Sequence, residues 1–140
     1  MIVNTAYAFY AKKEPLPDFN LWAGGVVNVP YTVSNAKWNS SGSMFYIYAT
    51  GYVEFTVDAK GYSKIKIEMS AANTYGGSMR IEFYNSTGSF ISDSQQSLTN
   101  FRKPYTIDIP NAARISGAKI RFIDSDPNVR NSLFTATLQE

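Results

Sequence analysis

The stretch Gly51-Tyr52-Val53-Glu54-Phe55-Thr56-Val57-Asp58-Ala59-Lys60-Gly61-Tyr62-Ser63-Lys64-Ile65-Lys66-Ile67 alternates apolar and polar side chains twice, with a break between the two runs. Val53, Phe55 and Val57 share one face of an extended chain, and Glu54, Thr56 and Asp58 share the other. Successive side chains of a β-strand point to opposite sides, so each run reads as a strand with one buried and one wet face. Asp58-Ala59-Lys60-Gly61 supplies the turn: an aspartate that bonds the backbone two residues on, and a glycine open to positive φ.

Outward from this unit the pattern repeats. Met79, Ile81 and Phe83 alternate with Arg80, Glu82 and Tyr84, and Tyr105, Ile107 and Ile109 alternate with Thr106 and Asp108. Ile120 and Phe122 alternate with Lys119 and Arg121, and Phe134, Ala136 and Leu138 with Thr135 and Thr137. Asn73 to Gly77 is a turn, and Asn85-Ser86-Thr87-Gly88 joins Phe83-Tyr84 to Phe90-Ile91 as a hairpin. The alternation predicts roughly eight to ten strands. The fold class that follows is all-β, an antiparallel two-sheet β-sandwich. Asn111 to Ser116 has a weak helical pattern, too short to change the class. Segments 11–43 and 92–102 are the least regular, the second a polar loop or a weakly paired edge.

Composition bounds the rest. A chain of 140 residues, 44% apolar and 17% charged, fits one folded domain. The net charge is +2 and the basic residues are scattered, so a nucleic-acid stripe is absent and no membrane or nucleic-acid partner is expected. There is no cysteine and no histidine. Disulfides, thiolate metal sites and a cysteine nucleophile are excluded, along with the commonest general base and transition-metal ligand. A serine nucleophile would then need an unusual base. Glu54, Glu68 and Glu82 stand among Lys and Arg on wet faces and read as a salt-laced surface rather than a glycosidase pair. The expectation is a non-enzyme without catalytic residues, bound metal or cofactor.

Asp124-Ser125-Asp126-Pro127-Asn128 carries oxygen ligands at three alternate positions, as a calcium loop does. Val129 then replaces the turn glycine, and Thr135 stands where a bidentate Glu is needed. A tight turn between strands ending at Asp124 and beginning near Ser132 is the better reading. Aromatic residues make up 15% of the chain. Tyr and Trp join a flat apolar face to a hydrogen-bonding edge, which suits stacking on sugar rings and suits protein interfaces equally. Trp38 and Tyr75 are the candidate glycan platforms, with Asn39, Asn73 and Arg102 as polar neighbours; the competing reading of Trp38 is a plug closing one end of the sandwich.

Met1-Ile2-Val3-Asn4-Thr5-Ala6-Tyr7-Ala8-Phe9-Tyr10 is an apolar extended arm, set off by Lys12-Lys13-Glu14-Pro15-Leu16-Pro17. It lacks the basic leader and cleavage pattern of a signal peptide. The organisation is therefore an arm and spacer over 1–17 and a single β-sandwich over 18–140. Val3, Tyr7, Phe9 and Tyr10 are the candidate assembly residues, seated on a sister subunit, another protein or the arm's own domain.

The passage Gly51 to Ile67 resembles a recurring passage of carbohydrate-binding-module-like and galactose-binding-like jelly rolls, where a strand, an Asp-x-x-Gly-Tyr turn and a second alternating strand follow one another. Arg80 to Gly88 is similar in style, and the resemblance spans roughly residues 40–139. The opening Met1 to Tyr7 resembles the start of small virion structural proteins of tailed bacteriophages. Together these resemblances imply a jelly-roll-like module displayed on a bacteriophage particle as a head decoration, fibre or tail adhesion protein. Its arm would meet virion proteins or sister subunits, and its β-domain would contact cell-surface carbohydrate at the virion surface. The alternative they imply is a bacterial carbohydrate-binding module or lectin-like domain acting extracellularly. The resemblances transfer no site residue.

Overall fold

The computed structural model describes residues 14–116 and 118–140. The arm residues Val3, Tyr7, Phe9 and Tyr10 lie outside the described residues. Three short strands, β1 (Phe19–Asn20), β2 (Trp22–Ala23) and β3 (Val26–Val27), open the described chain. Longer strands follow: β4 (Tyr31–Asn39), β5 (Met44–Val57), β6 (Lys64–Ala71), β7 (Gly77–Tyr84), β8 (Phe90–Leu98) and β9 (Lys103–Asp108). One turn of helix, α1 (Asn111–Ser116), precedes β10 (Ala118–Asp124) and β11 (Asn131–Gln139).

All the long strands pair antiparallel, and β5 decides how they are layered. Residues 52–57 of β5 pair with β10, while residues 45–47 pair with β11. Along its other edge β5 pairs with β4 through residues 44–47 and 52–55. One layer, sheet I, therefore runs β8-β7-β10-β5-β4, and the other, sheet II, runs β9-β6-β11-β5-β4, with β1 added on β11. The β4–β5 hairpin is shared by both and folds along a crease.

The crease has a local cause. The β4–β5 register shifts between Ser34 and Ala36: Asn35 alone stands opposite residues 48–51 of β5, an irregularity with three extra residues on β5. Asn35 and Thr50 both take positive φ, 46° and 59°, and Asn35 Nδ2 donates to Ala49 O at 3.0 Å. Extra residues on one strand bend it and sharpen the twist, which turns a long hairpin from one layer into the next. Gly51 completes it: a Cβ there would lie 2.3 Å from Asn35 O and 2.6 Å from Ser34 O. Only a residue without Cβ lets the two backbones come so close.

Inward side chains of both layers form one core. Val53, Phe55 and Val57 face Met79, Ile81, Phe83, Ile120 and Phe122 within sheet I, and Ile65, Ile67, Met69, Leu133, Ala136 and Leu138 line sheet II. Trp22, 2% exposed, packs against Phe45 and Phe55 and donates its Nε1–H to Ser43 O and Phe134 O. Burying a Phe or Leu contributes about 1.5–3 kcal/mol, against about 0–1 kcal/mol for a surface ion pair. The inward pattern, not the charged one, holds the sandwich.

Three sequence expectations change. Segment 11–43, read as irregular, contains β4, whose alternation is interrupted by the irregularity at Asn35. Segment 92–102, read as a polar loop or a weakly paired edge, is mostly the edge strand β8, whose residues 92–98 pair with β7 without interruption. Phe134, placed inward, sits at the β11 register shift between Leu133 and Thr135, so Leu133 takes the inward place. The hairpin at Asn85 is as expected: Asn85 Oδ1 accepts bonds from the backbone N–H of Thr87 and of Ser89.

Candidate functional site

The outward face of sheet I carries the densest mixture of aromatic and charged side chains. In β10, Arg121 is opposite Glu54 of β5 on one side and Glu82 of β7 on the other. Tyr52 lies one step along β5, and Tyr84 one step along β7 in the opposite sense. The Arg121 guanidinium stacks 4.3 Å from the Tyr52 ring centroid and 5.2 Å from that of Tyr84. Phe90, 56% exposed on the edge strand β8, meets Tyr84 edge-on at 5.8 Å. Tyr52, Arg121, Tyr84 and Phe90 thus form a diagonal track over four strands, spanning about 14 Å across them at the usual interstrand spacing.

Alternation produces this face: the phase that points Val53, Phe55, Ile81, Phe83, Ile120 and Phe122 inward points these residues outward. The track is held in place by neighbours on the same face. Arg121 Nε and Nη2 donate to Glu54 Oε2 at 2.9 and 2.6 Å, and Tyr84 OH donates to Glu82 Oε1 at 2.6 Å. Arg80 adds an ion pair to Glu82 at 3.3 Å. The Glu54 and Glu82 side chains are only 15% and 13% exposed. Partial burial, helped by the bond to Glu82, pushes the Tyr84 phenol above its ordinary pKa, so it stays a neutral donor. The result is a pre-arranged surface of ring faces, a planar cation and carboxylates. Apolar ring faces take the C–H side of a sugar, and the fork-shaped cation and carboxylates take hydroxyls.

The residues singled out from sequence are scattered. Trp38 is half-buried, its ring 4.8 Å from that of Phe45 and edge-on to Trp22. Asn39 shapes the β4–β5 turn, its Oδ1 accepting from Ser41 Oγ and Gly42 N. Arg102 is bound to Glu68, at 3.0 Å from Oε1, and lies over the Phe134 ring at 4.8 Å, on the outward side of sheet II. That guanidinium holds the Glu68 carboxyl below its ordinary pKa. Arg102 also borders a hollow of about 350 Å³ with Trp22, Ser43 and Thr135. Asn73 and Tyr75 do come together, lining a polar hollow of about 310 Å³ with Ser78, Asp126 and Asn128. Tyr75 is 96% exposed, as expected of a platform.

Tyr52, Tyr84, Phe90 and Arg121 were not singled out. The charges beside them read as a solvated surface, yet Glu54 and Glu82 are mostly covered. The signal was present in the outward phase, where tyrosines alternate with Glu and Arg. Ser34 and Lys37 have the Ser-x-x-Lys spacing that on a helix would bring a lysine base to a serine. In β4 it spans the irregularity, and the Lys37 ammonium lies 5.9 Å from the Tyr46 ring centroid. Among the described residues no group of three acidic side chains is disposed to hold a metal ion.

No protein-family model matches the sequence. No curated protein matches it. Solved structures do. A family 29 carbohydrate-binding module in complex with cellulohexaose superposes with a TM-score of 0.70 at 14% identity, over 90% of this chain and 92% of that one. A variant of the same kind of module, made to probe ligand recognition, gives a TM-score of 0.68 over 89% and 92% of the two chains, again at 14% identity. A family two carbohydrate esterase from Cellvibrio japonicus matches at 0.62 and 14% identity over 88% of this chain but 33% of its own. The topology derived above is therefore that of a known architecture: the chain is an antiparallel jelly-roll β-sandwich with the fold of carbohydrate-binding modules.

Proposed function

We propose that this protein is a non-catalytic carbohydrate-binding module whose ligand is a glycan chain laid along the outward face of sheet I. The observation that carries the reading is Arg121 clamped between Tyr52 and Tyr84, with Glu54 and Glu82 in the same row. An open track spanning about 14 Å across the strands suits several linked sugar rings better than a single one. The similar modules support this reading. One was solved with cellulohexaose, and variants at a tyrosine, an arginine, an aspartate and two lysines were made there to probe ligand recognition. Tyrosine and arginine also crowd the face described here. An extracellular place of action follows from this reading.

The test is binding to a panel of soluble β-glucans and mannans by affinity electrophoresis and calorimetry. Tyr52→Ala and Tyr84→Ala should each weaken the affinity about tenfold, roughly 1.4 kcal/mol, because each removes ring area from the track. Binding to no polysaccharide, or binding indifferent to both substitutions, would overturn it.

Display on a bacteriophage particle, the first expectation from sequence, now takes second place to what was the alternative. Its support is the apolar, proline-separated arm with Val3, Tyr7, Phe9 and Tyr10. Deleting residues 1–14 should leave the β-domain folded and abolish assembly; a full-length protein that stays monomeric and binds no virion component would remove the idea.

A further inference from the structure

We propose that the outward face of sheet II carries a site, separate from the sheet I track, for a carboxylate-bearing polysaccharide of the polyuronate class. Its grip is Lys37 and Arg130 around the Tyr46 ring. Register puts Lys37 of β4 opposite Tyr46 of β5, Tyr46 opposite Ser132 of β11, and Ser132 opposite Ser70 of β6. The four form one row over four strands, spanning about 14 Å across them at the usual interstrand spacing. Their neighbours along the strands, Phe45, Ile47, Leu133, Met69 and Ala71, are buried in the core, so the row faces outward.

Two cations converge on this row. The Lys37 ammonium lies 5.9 Å and the Arg130 guanidinium 4.6 Å from the Tyr46 ring centroid. Both side chains are exposed. The ion pairs among the described residues are Arg80–Glu82, Arg102–Glu68 and Arg121–Glu54, and neither Lys37 nor Arg130 belongs to one. The row itself holds no acid. Glu68, the next outward residue along β6 from Ser70, is already bonded by Arg102 at 3.0 Å and by Thr135 Oγ1 at 3.1 Å.

Two like charges held around one ring repel each other, and the ring's π-face offsets this only in part. An anion between them relieves the repulsion. The planar fork of arginine matches a carboxylate bidentately, and lysine adds a point charge. Tyr46, Ser132 and Ser70 bring hydroxyls able to donate to, or accept from, the hydroxyls of a sugar. Two free cations are few for a nucleic acid, whose affinity is built on many phosphate contacts. The proposal does not depend on the sheet I reading. β5 carries Tyr46 on one side of the crease and Tyr52 on the other, and the outward faces of the two layers point away from each other.

The experiment is affinity electrophoresis of the full chain in gels containing polygalacturonate, its methyl ester, dextran sulfate or single-stranded DNA. Polygalacturonate should retard the protein. Its methyl ester, which keeps the sugar and loses the charge, should bind about tenfold more weakly. Lys37→Ala and Arg130→Ala should each weaken polygalacturonate binding about tenfold, and Arg130→Lys should weaken it because the charge stays while the fork is lost. Both positions are exposed, so these variants should fold as the wild type does. An excess of neutral β-glucan oligosaccharide should leave the retardation unchanged, whether or not sheet I binds that oligosaccharide. Four results would each overturn the proposal: no retardation by polygalacturonate, retardation indifferent to both alanine substitutions, equal or stronger retardation by dextran sulfate or DNA, or displacement by the neutral oligosaccharide.

Discussion

Replacing Gly51 by alanine adds one methyl group at the crease, and the structure says what it would meet. The new Cβ would sit 2.3 Å from Asn35 O and 2.6 Å from Ser34 O. Both obstacles are backbone, so no rotamer change relieves the contact. β4 must move away by the better part of an ångström, and the pairs flanking the irregularity, Ser34 with Tyr52 and Ala36 with Ile47, must loosen. Overpacking of this kind costs about 1–3 kcal/mol, and two weakened backbone hydrogen bonds add about 1 kcal/mol each. The expected loss is about 3–5 kcal/mol, a large share of the roughly 5–15 kcal/mol typical of a domain. Urea denaturation followed by tryptophan fluorescence measures it directly. The neighbouring Thr50→Gly is the matched control. Thr50 has φ of 59°, unfavourable for a β-branched residue, so glycine there should be neutral or stabilising by up to about 1 kcal/mol. A Gly51→Ala loss below about 1 kcal/mol, less than the overpacking term alone, would show that the crease is not set by this contact.

Other consequences are smaller but equally direct. Trp22→Phe removes the indole N–H from Ser43 O and Phe134 O, so it should cost about 1–3 kcal/mol in the same denaturation assay. Tyr75→Ala, at a ring 96% exposed, should leave stability within about 0.5 kcal/mol. It should also leave glycan affinity unchanged if the ligand lies on sheet I. Burial pushes the Asp124 carboxyl up from its ordinary 3.8 to about 7; the Asp126 N–H works against this and the nearby Asp126 charge adds to it. The folded chain then holds a proton that the unfolded chain sheds above pH about 4. Stability should therefore be greatest near pH 4, fall as pH rises to about 7 and level off beyond. The whole change is at most roughly 4 kcal/mol. Urea titrations across that range should show the slope in wild type and lose it in Asp124→Asn.

The all-β class and most strands were legible because a half-buried strand must alternate, and Val53 to Val57, Met79 to Phe83 and Ala118 to Phe122 do so without interruption. β4 was not, because the irregularity at Asn35 shifts the phase between Tyr31-Val33 and Ala36-Trp38 and erases the period-two signal. Phe134 was misplaced for the same reason, since a register shift moves a side chain to the other face. At the candidate site, exposure of Tyr75 could be read from its glycine-rich turn. Trp38 could not be resolved, because a large indole beside polar residues serves equally as plug or platform. The Tyr52-Arg121-Tyr84 track joins β5, β10 and β7, neighbours in space but separated in sequence by as much as 69 positions. Nothing local announces such a cluster; it appears only once the strand order is known.

The sheet I track is the central claim, and residue-resolved mapping tests it without relying on any substitution. Amide chemical-shift perturbation of the labelled full chain should be followed with a β-linked oligosaccharide series of increasing length. The account predicts shifts centred on Tyr52, Glu54, Glu82, Tyr84 and Arg121, growing with ligand length until the track is filled. Shifts confined to the Asn73–Asn128 hollow, or none with any saccharide in the series, would contradict it.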